Sequence, residues 1–305
     1  MEEFDVAIVG AGPAALSTAV YFGRAKVSSV LIGIPSKSGA WYAHEVQNYM
    51  GFSEGIKGKQ LLEQGVRQAQ KYGTVFLEEE VVHASKKGEG EIILKTSSEK
   101  EIACKKLVIA TGKSFASSGI ANEEKFKGKG IHYCVACDGF FYTGRKVAVV
   151  GSGNFAAEEA LELLTYTKDV FVISNGKSFS FTPSFAKALE KNGVKTVNAA
   201  INSFEGGKAL THLALVDGKK IEVDAAFIAI GMASALAFAN KLGLEMNGQD
   251  LVVDKEGRTS LKDVFAAGAC CGGYSQIAKS VGEGCNAAIS IIKELKGLAS
   301  YEDHT

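Results

Sequence analysis

Val6 to Val9 is an unbroken apolar run, and Gly10-Ala11-Gly12-Pro13-Ala14-Ala15 follows it without a gap. From Ala14 to Arg24 the residues Ala15, Ala19 and Phe22 recur at helical spacing, and Val30-Leu31-Ile32 is a second apolar run. Strand, glycine turn, helix and strand in that order is the setting in which a GxGxxG or GxGxxA turn binds a dinucleotide. Gly10 allows the turn and Gly12 lets backbone meet a pyrophosphate, while the helix N-terminus supplies unpaired N–H groups and a positive dipole. Ala15 stands in place of the third glycine, a permitted small residue.

The unit recurs. Val147 to Val150 leads into Gly151-Ser152-Gly153-Asn154-Phe155-Ala156, then a helix through Leu164 and a strand at Val170 to Ile173. Two such units predict two nucleotide sites and an α/β chain. Leu107 to Gly112, Phe227 to Gly231 and Val264 to Gly268 each read as a strand closed by a glycine turn. This order predicts two Rossmann-like domains of three-layer ββα type, the second inserted into the first. The expected boundaries are residues 1–113 with 242–305 for the first and 114–241 for the second. The composition, with 35 Gly and 3 Pro, suits many tight strand-to-helix turns.

Charge narrows the partners. The chain has 34 basic and 34 acidic side chains and a formal net charge of zero, which argues against a nucleic-acid binder. The most apolar stretch, Ala225 to Ala239, is shorter than the roughly 18 residues of a membrane span. It reads as a buried strand running into a loop and helix. Met1-Glu2-Glu3-Phe4-Asp5 is acidic where a secretory leader is basic, so a cytoplasmic location is expected. The 6 cysteines are irregularly spaced, unlike a disulfide scaffold.

Cys134-Val135-Ala136-Cys137-Asp138 is a different matter. Two cysteines separated by two residues can close a small disulfide, and a helix start or polar neighbours can make one thiol reactive. A zinc site would need a second ligand pair; no other CxxC exists, and His44, His83, His132, His212 and His304 supply no HxxxH, so no metal is expected. Asp138 is a candidate acid or base for the thiols, or a helix cap.

Together these motifs resemble the low-molecular-weight thioredoxin reductases over essentially the whole chain. The resemblance is carried by Gly10 to Ala15, Val46 to Phe52, Ala110-Thr111-Gly112, Cys134 to Asp138, Gly151 to Ala156 with Glu158-Glu159, and Tyr274 to Cys285. It implies a homodimeric flavoprotein in which FAD lies on Gly10, Gly12, Pro13, Ala14, Ala15, Trp41, Asn48, Thr111, Gly112, Gly268, Ala269, Gln276 and Ile277. It further implies that Cys137 faces the flavin, that Cys134 attacks a thioredoxin-type disulfide and that Asp138 donates the proton. A nicotinamide nucleotide would lie on Gly151, Gly153, Asn154, Phe155 and Ala156.

Four departures set this chain apart. NADPH-using members carry an arginine cluster after the second strand of the inserted domain, whereas Ile173 to Ser180 here holds one Lys and no Arg. The family's late Gly-Asp is Gly268-Ala269, which removes one charge-assisted hydrogen bond to FAD. Ser36 stands where Glu is common, with Trp41 in the usual Gly-Gln-Leu region, and Ser275 replaces an Arg.

These losses resemble a branch fed by reduced ferredoxin, leaving the donor open between ferredoxin and NADH or NADPH. Lys57, Lys59, Lys125, Lys127 and Lys129 are candidates for an acidic ferredoxin, or simply a solvated face. Two other functions fit the same motifs: a flavin dithiol oxidase that uses oxygen, and a non-catalytic flavin redox sensor. Cys104 and Cys285 read as packing residues, with Cys285 at the start of a last helix from Gly284 to Leu295. The vicinal pair Cys270-Cys271 reads as packing beside the altered flavin contact.

Overall fold

The computed structural model describes residues 1–88, 90–112, 118–133, 135–230, 241–248 and 250–303. Along the chain run β1 (Glu2–Val9), α1 (Pro13–Arg24), β2 (Ser29–Ile32), α2 (Gly58–Lys71), β3 (Val75–Leu77), β4 (Val81–Gly88), β5 (Glu91–Thr96) and β6 (Glu101–Ile109). Next come α3 (Glu123–Phe126), β7 (Ile131–His132), α4 (Val135–Asp138), β8 (Val147–Val150), α5 (Asn154–Leu163), β9 (Val170–Ile173), α6 (Pro183–Lys191) and β10 (Lys195–Val197). The remainder holds β11 (Ile201–Gly206), β12 (Leu210–Leu215), β13 (Lys220–Glu222), β14 (Ala225–Ile228), the short pair β15 (Met246–Asn247) and β16 (Asp250–Leu251), β17 (Val264–Ala266) and α7 (Ile277–Lys296).

Two compact units result: Met1–Thr96, Lys100–Ser114 and Ser234–Thr305 in one, Ser97–Glu99 and Phe115–Ala233 in the other. In the first, the strand order is β3-β2-β1-β6-β5-β4, and β17 pairs with β6. β1 is parallel to β2 and β6, with Val9 opposite Ile32 and Ile109. β17 is also parallel to β6, with Ala266 opposite Ile109. Val6, Ile8, Leu31 and Val108 are fully buried, as a sheet covered by helices requires, and pack with Phe22, Ala287 and Ile291 of α1 and α7.

The second unit contains a parallel sheet in the order β10-β9-β8-β14-β7 and an antiparallel sheet β11-β12-β13. Its core joins Val150, Ile173 and Ile228 to Phe204, Leu213 and Leu215. The strand expected from Phe227 onward begins at Ala225 and ends at Ile228, and the expected loop and helix at 231–240 lie outside the described residues.

One expectation is corrected. The last helix starts at Ile277, two turns before Gly284, so Cys285 lies in its interior rather than at its N-terminus. Gly282 and Gly284 resemble a helix boundary in sequence, yet Gly284 serves packing: a Cβ there would lie 2.3 Å from the Ala14 carbonyl oxygen. Among the described residues no helix is long and apolar enough to cross a membrane.

Candidate functional site

In the first unit, the turn after β1 is built by steric necessity. Gly10 has φ +123°, and a Cβ on it would lie 2.2 Å from the Ala110 carbonyl oxygen. Gly12 is the N-cap of α1 and carries no side-chain cap, and Pro13 sits in the first turn. Ala14 and Ala15 are buried where α1 meets the core. Such an uncapped N-terminus after a glycine turn leaves backbone donors for an anion.

The other expected cofactor residues surround this turn. Ala110 N–H donates to the Val9 carbonyl at 2.8 Å, so Thr111 and Gly112 leave the sheet beside Gly10. Thr111 Oγ1 is buried and has no hydrogen-bond partner among the described residues. A buried hydroxyl left unpaired is costly, and a ligand that accepts or donates there would relieve it. Gly268 has φ +92°, with its would-be Cβ 2.9 Å from that of Ala14. Ala269 opens a single 3-10 turn that ends at Cys271. Asn48 Nδ2 donates to Gln276 Oε1 at 3.0 Å, and Ile277 begins α7. Trp41 lies in the 3-10 turn Gly39–Tyr42 and packs half-buried against the core, with Lys59 Nζ 5.4 Å from its ring centroid. Tyr42 is exposed. The residues present fit a dinucleotide of FAD size: a cradle that a Cβ would fill, an uncapped helix start and an orphaned buried hydroxyl.

Where the expected aspartate is replaced by Ala269, the structure shows a carboxylate from elsewhere. Glu283 Oε2 accepts the Gly268 N–H at 2.9 Å, and Lys279 Nζ bridges Glu283 Oε1 at 2.8 Å and the Gly272 carbonyl at 2.7 Å. Sequence inspection missed this clamp, although Lys279 and Glu283 stand at the i,i+4 spacing of a helical ion pair. Next to it Cys270 is buried, with its Sγ 3.8 Å from that of Cys271. The contact with Cys271 holds the Cys270 thiol below its ordinary value and raises that of Cys271. Cys104 is core, its thiol pushed up to about 12 by burial.

The second glycine turn is also formed. A Cβ on Gly151 would lie 2.2 Å from the Ala229 carbonyl oxygen, and Asn154, Phe155 and Ala156 are buried at the start of α5. This helix start has no side-chain cap either, and the loop at 180–182 bonds back to the turn. Ser180 N–H donates to the Ser152 carbonyl at 2.8 Å, and Thr182 N–H donates to Asn154 Oδ1 at 2.8 Å. Phe179 and Phe181 stack at 4.8 Å in the same segment. Lys177 is the one cation from Ile173 to Ser180, so this segment offers no guanidinium fork for a 2′-phosphate.

Of the disulfide motif, Cys134 lies outside the described residues. Cys137 falls in α4, with its side chain outside the description. Asp138 ends α4 and makes no cap; its Oδ2 lies 3.0 Å from His132 Nδ1. At the start of α4, Val135 N–H donates to Glu159 Oε2 at 3.2 Å. The candidate docking lysines are partly engaged: Lys59 with Glu63, Lys127 with Glu124 and the Tyr133 ring, and Lys125 over the Phe126 ring.

Residues 4–284 match the model of the pyridine nucleotide-disulphide oxidoreductase family. The chain belongs to that family. A thioredoxin reductase from Rickettsia conorii is 34% identical, over 95% of this chain and 97% of the relative. Among solved structures, the atypical thioredoxin reductase TRi from Desulfovibrio vulgaris Hildenborough is 43% identical with a TM-score of 0.88, covering 95% of this chain and 98% of that one. A ferredoxin-flavin thioredoxin reductase from Clostridium acetobutylicum is 26% identical with a TM-score of 0.71, covering 97% of this chain and 99% of that one. Within the family the chain is thus of the low-molecular-weight thioredoxin reductase type, a flavin-dependent disulfide oxidoreductase with two Rossmann-like folds.

Proposed function

We propose that this enzyme reduces the disulfide of a thioredoxin-type protein through FAD and the Cys134/Cys137 couple, without a dedicated NADPH site. The observation that carries the reading is the contrast between the two glycine turns. The one at Gly10–Ala15 adjoins an orphaned buried Thr111 hydroxyl, whereas the one at Gly151–Ala156, equally uncapped, has its Ser152 carbonyl bonded by Ser180 and no arginine in the segment Ile173 to Ser180.

FAD would be held by Gly10, Gly12, Pro13, Ala14 and Ala15, by Thr111 and Gly112, and by the Gly268–Ile277 segment, with Asn48 and Trp41 alongside. When bound, it supplies the two-electron reduction of the Cys134–Cys137 disulfide. The reduced Cys134 thiolate attacks the substrate disulfide and releases one substrate sulfur. Cys137 then attacks the mixed disulfide, which regenerates the Cys134–Cys137 bond and releases the second sulfur. Asp138 supplies the proton for a departing thiolate. A homodimer in the cytoplasm, with reduced ferredoxin as donor, is part of the proposal. The missing arginines support that donor, as does the likeness to a ferredoxin-flavin enzyme.

Anaerobic titration of the purified yellow protein with NADH, NADPH and reduced ferredoxin in turn tests the reading. Bleaching by ferredoxin followed by reduction of a thioredoxin supports it. Rapid NADPH bleaching would overturn the donor assignment. Oxygen-dependent oxidation of small dithiols with no bleaching by any donor would favour a dithiol oxidase instead.

A further inference from the structure

His132 stands two residues before Cys134 and is 8% exposed, and neither ring nitrogen is idle. Nδ1 lies 3.0 Å from Asp138 Oδ2, and Nε2 lies 2.8 Å from the Tyr142 hydroxyl. The ring is held in place by Phe227, stacked at 5.4 Å and 29°, and by the edge of Tyr142 at 5.2 Å. Strand β7 fixes the backbone beneath it, with His132 opposite Phe227 on β14.

The chemistry at the adjacent couple needs what this chain of hydrogen bonds offers. A lone aspartic acid, titrating ordinarily near 3.9, holds its proton in only about one molecule in a thousand at neutral pH. An imidazole, ordinarily near 6.5, carries one in a sizeable fraction of molecules. The flanking phenol suits both protonation states of the ring. Tyr142 O–H donates to a neutral Nε2, and its oxygen accepts from Nε2–H once the ring is charged. The Tyr142 contact therefore survives either charge state: the ring that gives up Nδ1–H to Asp138 retains Nε2–H and donates it to the Tyr142 oxygen. Burial, then Asp138 and Asp224, raise the Tyr142 phenol, so it stays protonated.

We infer that His132 is the positioning residue that keeps the Asp138 carboxyl supplied with a proton during disulfide exchange at Cys134/Cys137. The inference deepens the reductase reading and rests on it. In the step, imidazolium Nδ1–H passes its proton to the Asp138 carboxylate, and the carboxyl passes one to the departing thiolate. The sum is imidazolium plus thiolate giving imidazole plus thiol; the electron pair stays on sulfur, and the imidazole recovers its proton from solvent. The other charged groups nearby are Asp224, paired with Arg145 at 3.8 Å, and Glu159 of α5, which accepts the Val135 N–H at the start of α4. On the neighbouring residue, Tyr133 donates to Glu123 at 2.6 Å. The strand opposite presents Phe227 and no charge.

Two measurements test this. The first is the pH profile of a single turnover, in which the dithionite-reduced holoenzyme is mixed with the alkyl disulfide hydroxyethyl disulfide, whose departing thiolate takes up a proton at neutral pH, and flavin reoxidation is followed. His132→Asn keeps a donor for Asp138 but carries no exchangeable charge. It is expected to lower the rate at neutral pH about tenfold or more and to erase the break that the wild-type profile shows. Tyr142→Phe should displace the same break. The second is a histidine ring NMR titration of the wild type and Asp138→Asn, which does not require His132→Asn to fold. Loss of the carboxylate charge should move the His132 titration to lower pH. An active wild type whose profile His132→Asn leaves unchanged, or a His132 resonance indifferent to Asp138→Asn, overturns the relay alone. A flavin-loaded wild type that reduces no disulfide at any pH removes the reductase reading and the relay together.

Discussion

Asn48 donates its side-chain amide to Gln276 Oε1 at 3.0 Å, across 228 residues of sequence. The bond commits the Gln276 side chain to the loop after the Gly39–Tyr42 turn, and Gln276, the N-cap of α7, makes no side-chain cap of its own. Its backbone, at φ −113° and ψ 143°, is already in the conformation of a capping residue.

Gln276→Ser is therefore expected to move two properties in opposite directions. Serine caps better, by about 0.5–1 kcal/mol, so thermal stability of the FAD-free protein should hold or rise. The link to Asn48 is lost, and FAD should bind several-fold more weakly. Parallel thermal melts and flavin titrations check this; a fall in both would show that the pair is merely structural.

Thr111→Val removes the orphaned hydroxyl at nearly constant shape. An unsatisfied buried polar group costs about 1–3 kcal/mol, so the FAD-free variant should be no less stable than the wild type. If the hydroxyl pairs with bound FAD, the dissociation constant should rise about three- to tenfold, equivalent to the net worth of one hydrogen bond. Equilibrium dialysis with FAD measures it.

Asp263 predicts a pH dependence. It accepts from Lys106 at 2.9 Å, Lys86 at 3.2 Å and the Gly90 N–H at 3.2 Å, and is 6% exposed. Burial alone would raise its carboxyl, but Lys106 and Lys86 with the Gly90 N–H outweigh it and hold the group below its ordinary value. A depressed folded value means the contribution is complete above the unfolded value, near 3.9, and is lost as pH falls through the folded one. Asp263→Asn tolerates the positive φ of +74° and isolates the charge. Denaturant melts should show a loss of about 3 kcal/mol at pH 7, narrowing below about pH 4.

Cys137→Ser should retain bound flavin and lose reduction of thioredoxin by more than about a thousandfold, because a hydroxyl cannot close the disulfide that ends each turnover. Anaerobic bleaching followed by single turnover separates the two effects. Retained turnover would place the electron-accepting sulfur elsewhere.

Sequence alone made the glycine turns legible because each rests on a steric rule that local residues declare. Gly10 against Ala110 and Gly151 against Ala229 are contacts any such turn makes. The same is true of the buried strands Val147–Val150 and Val170–Ile173, whose bounds equal the apolar runs. What stayed hidden depends on partners brought from afar. Glu283 reaches Gly268 only once α7 folds back along the sheet. His132 meets Asp138 because a strand end and a one-turn helix place them together, a spacing with no periodic signature. Ser180 over Ser152 is a loop contact with no motif at all. The antiparallel β11–β13 sheet was likewise not anticipated, its strands being short and only partly apolar.

The two glycines that disguised the start of α7 should respond oppositely to alanine. Gly282 has nothing within 4 Å of its would-be Cβ, so Gly282→Ala gains helix propensity, up to about 1 kcal/mol. A Cβ on Gly284 would lie 2.3 Å from the Ala14 carbonyl oxygen and 3.0 Å from Thr18 Oγ1, where backbone cannot yield without moving α1. Thr18 also shares its hydroxyl proton between the carbonyls of Ala14 at 2.9 Å and Gly284 at 3.1 Å. Gly284→Ala should cost about 1–3 kcal/mol by overpacking. Because Ala14 belongs to the first glycine turn, the strain should also reach the cradle, and the variant should release flavin on gel filtration while Gly282→Ala keeps it. Equal melting shifts for the two variants would contradict this packing of α7 on α1.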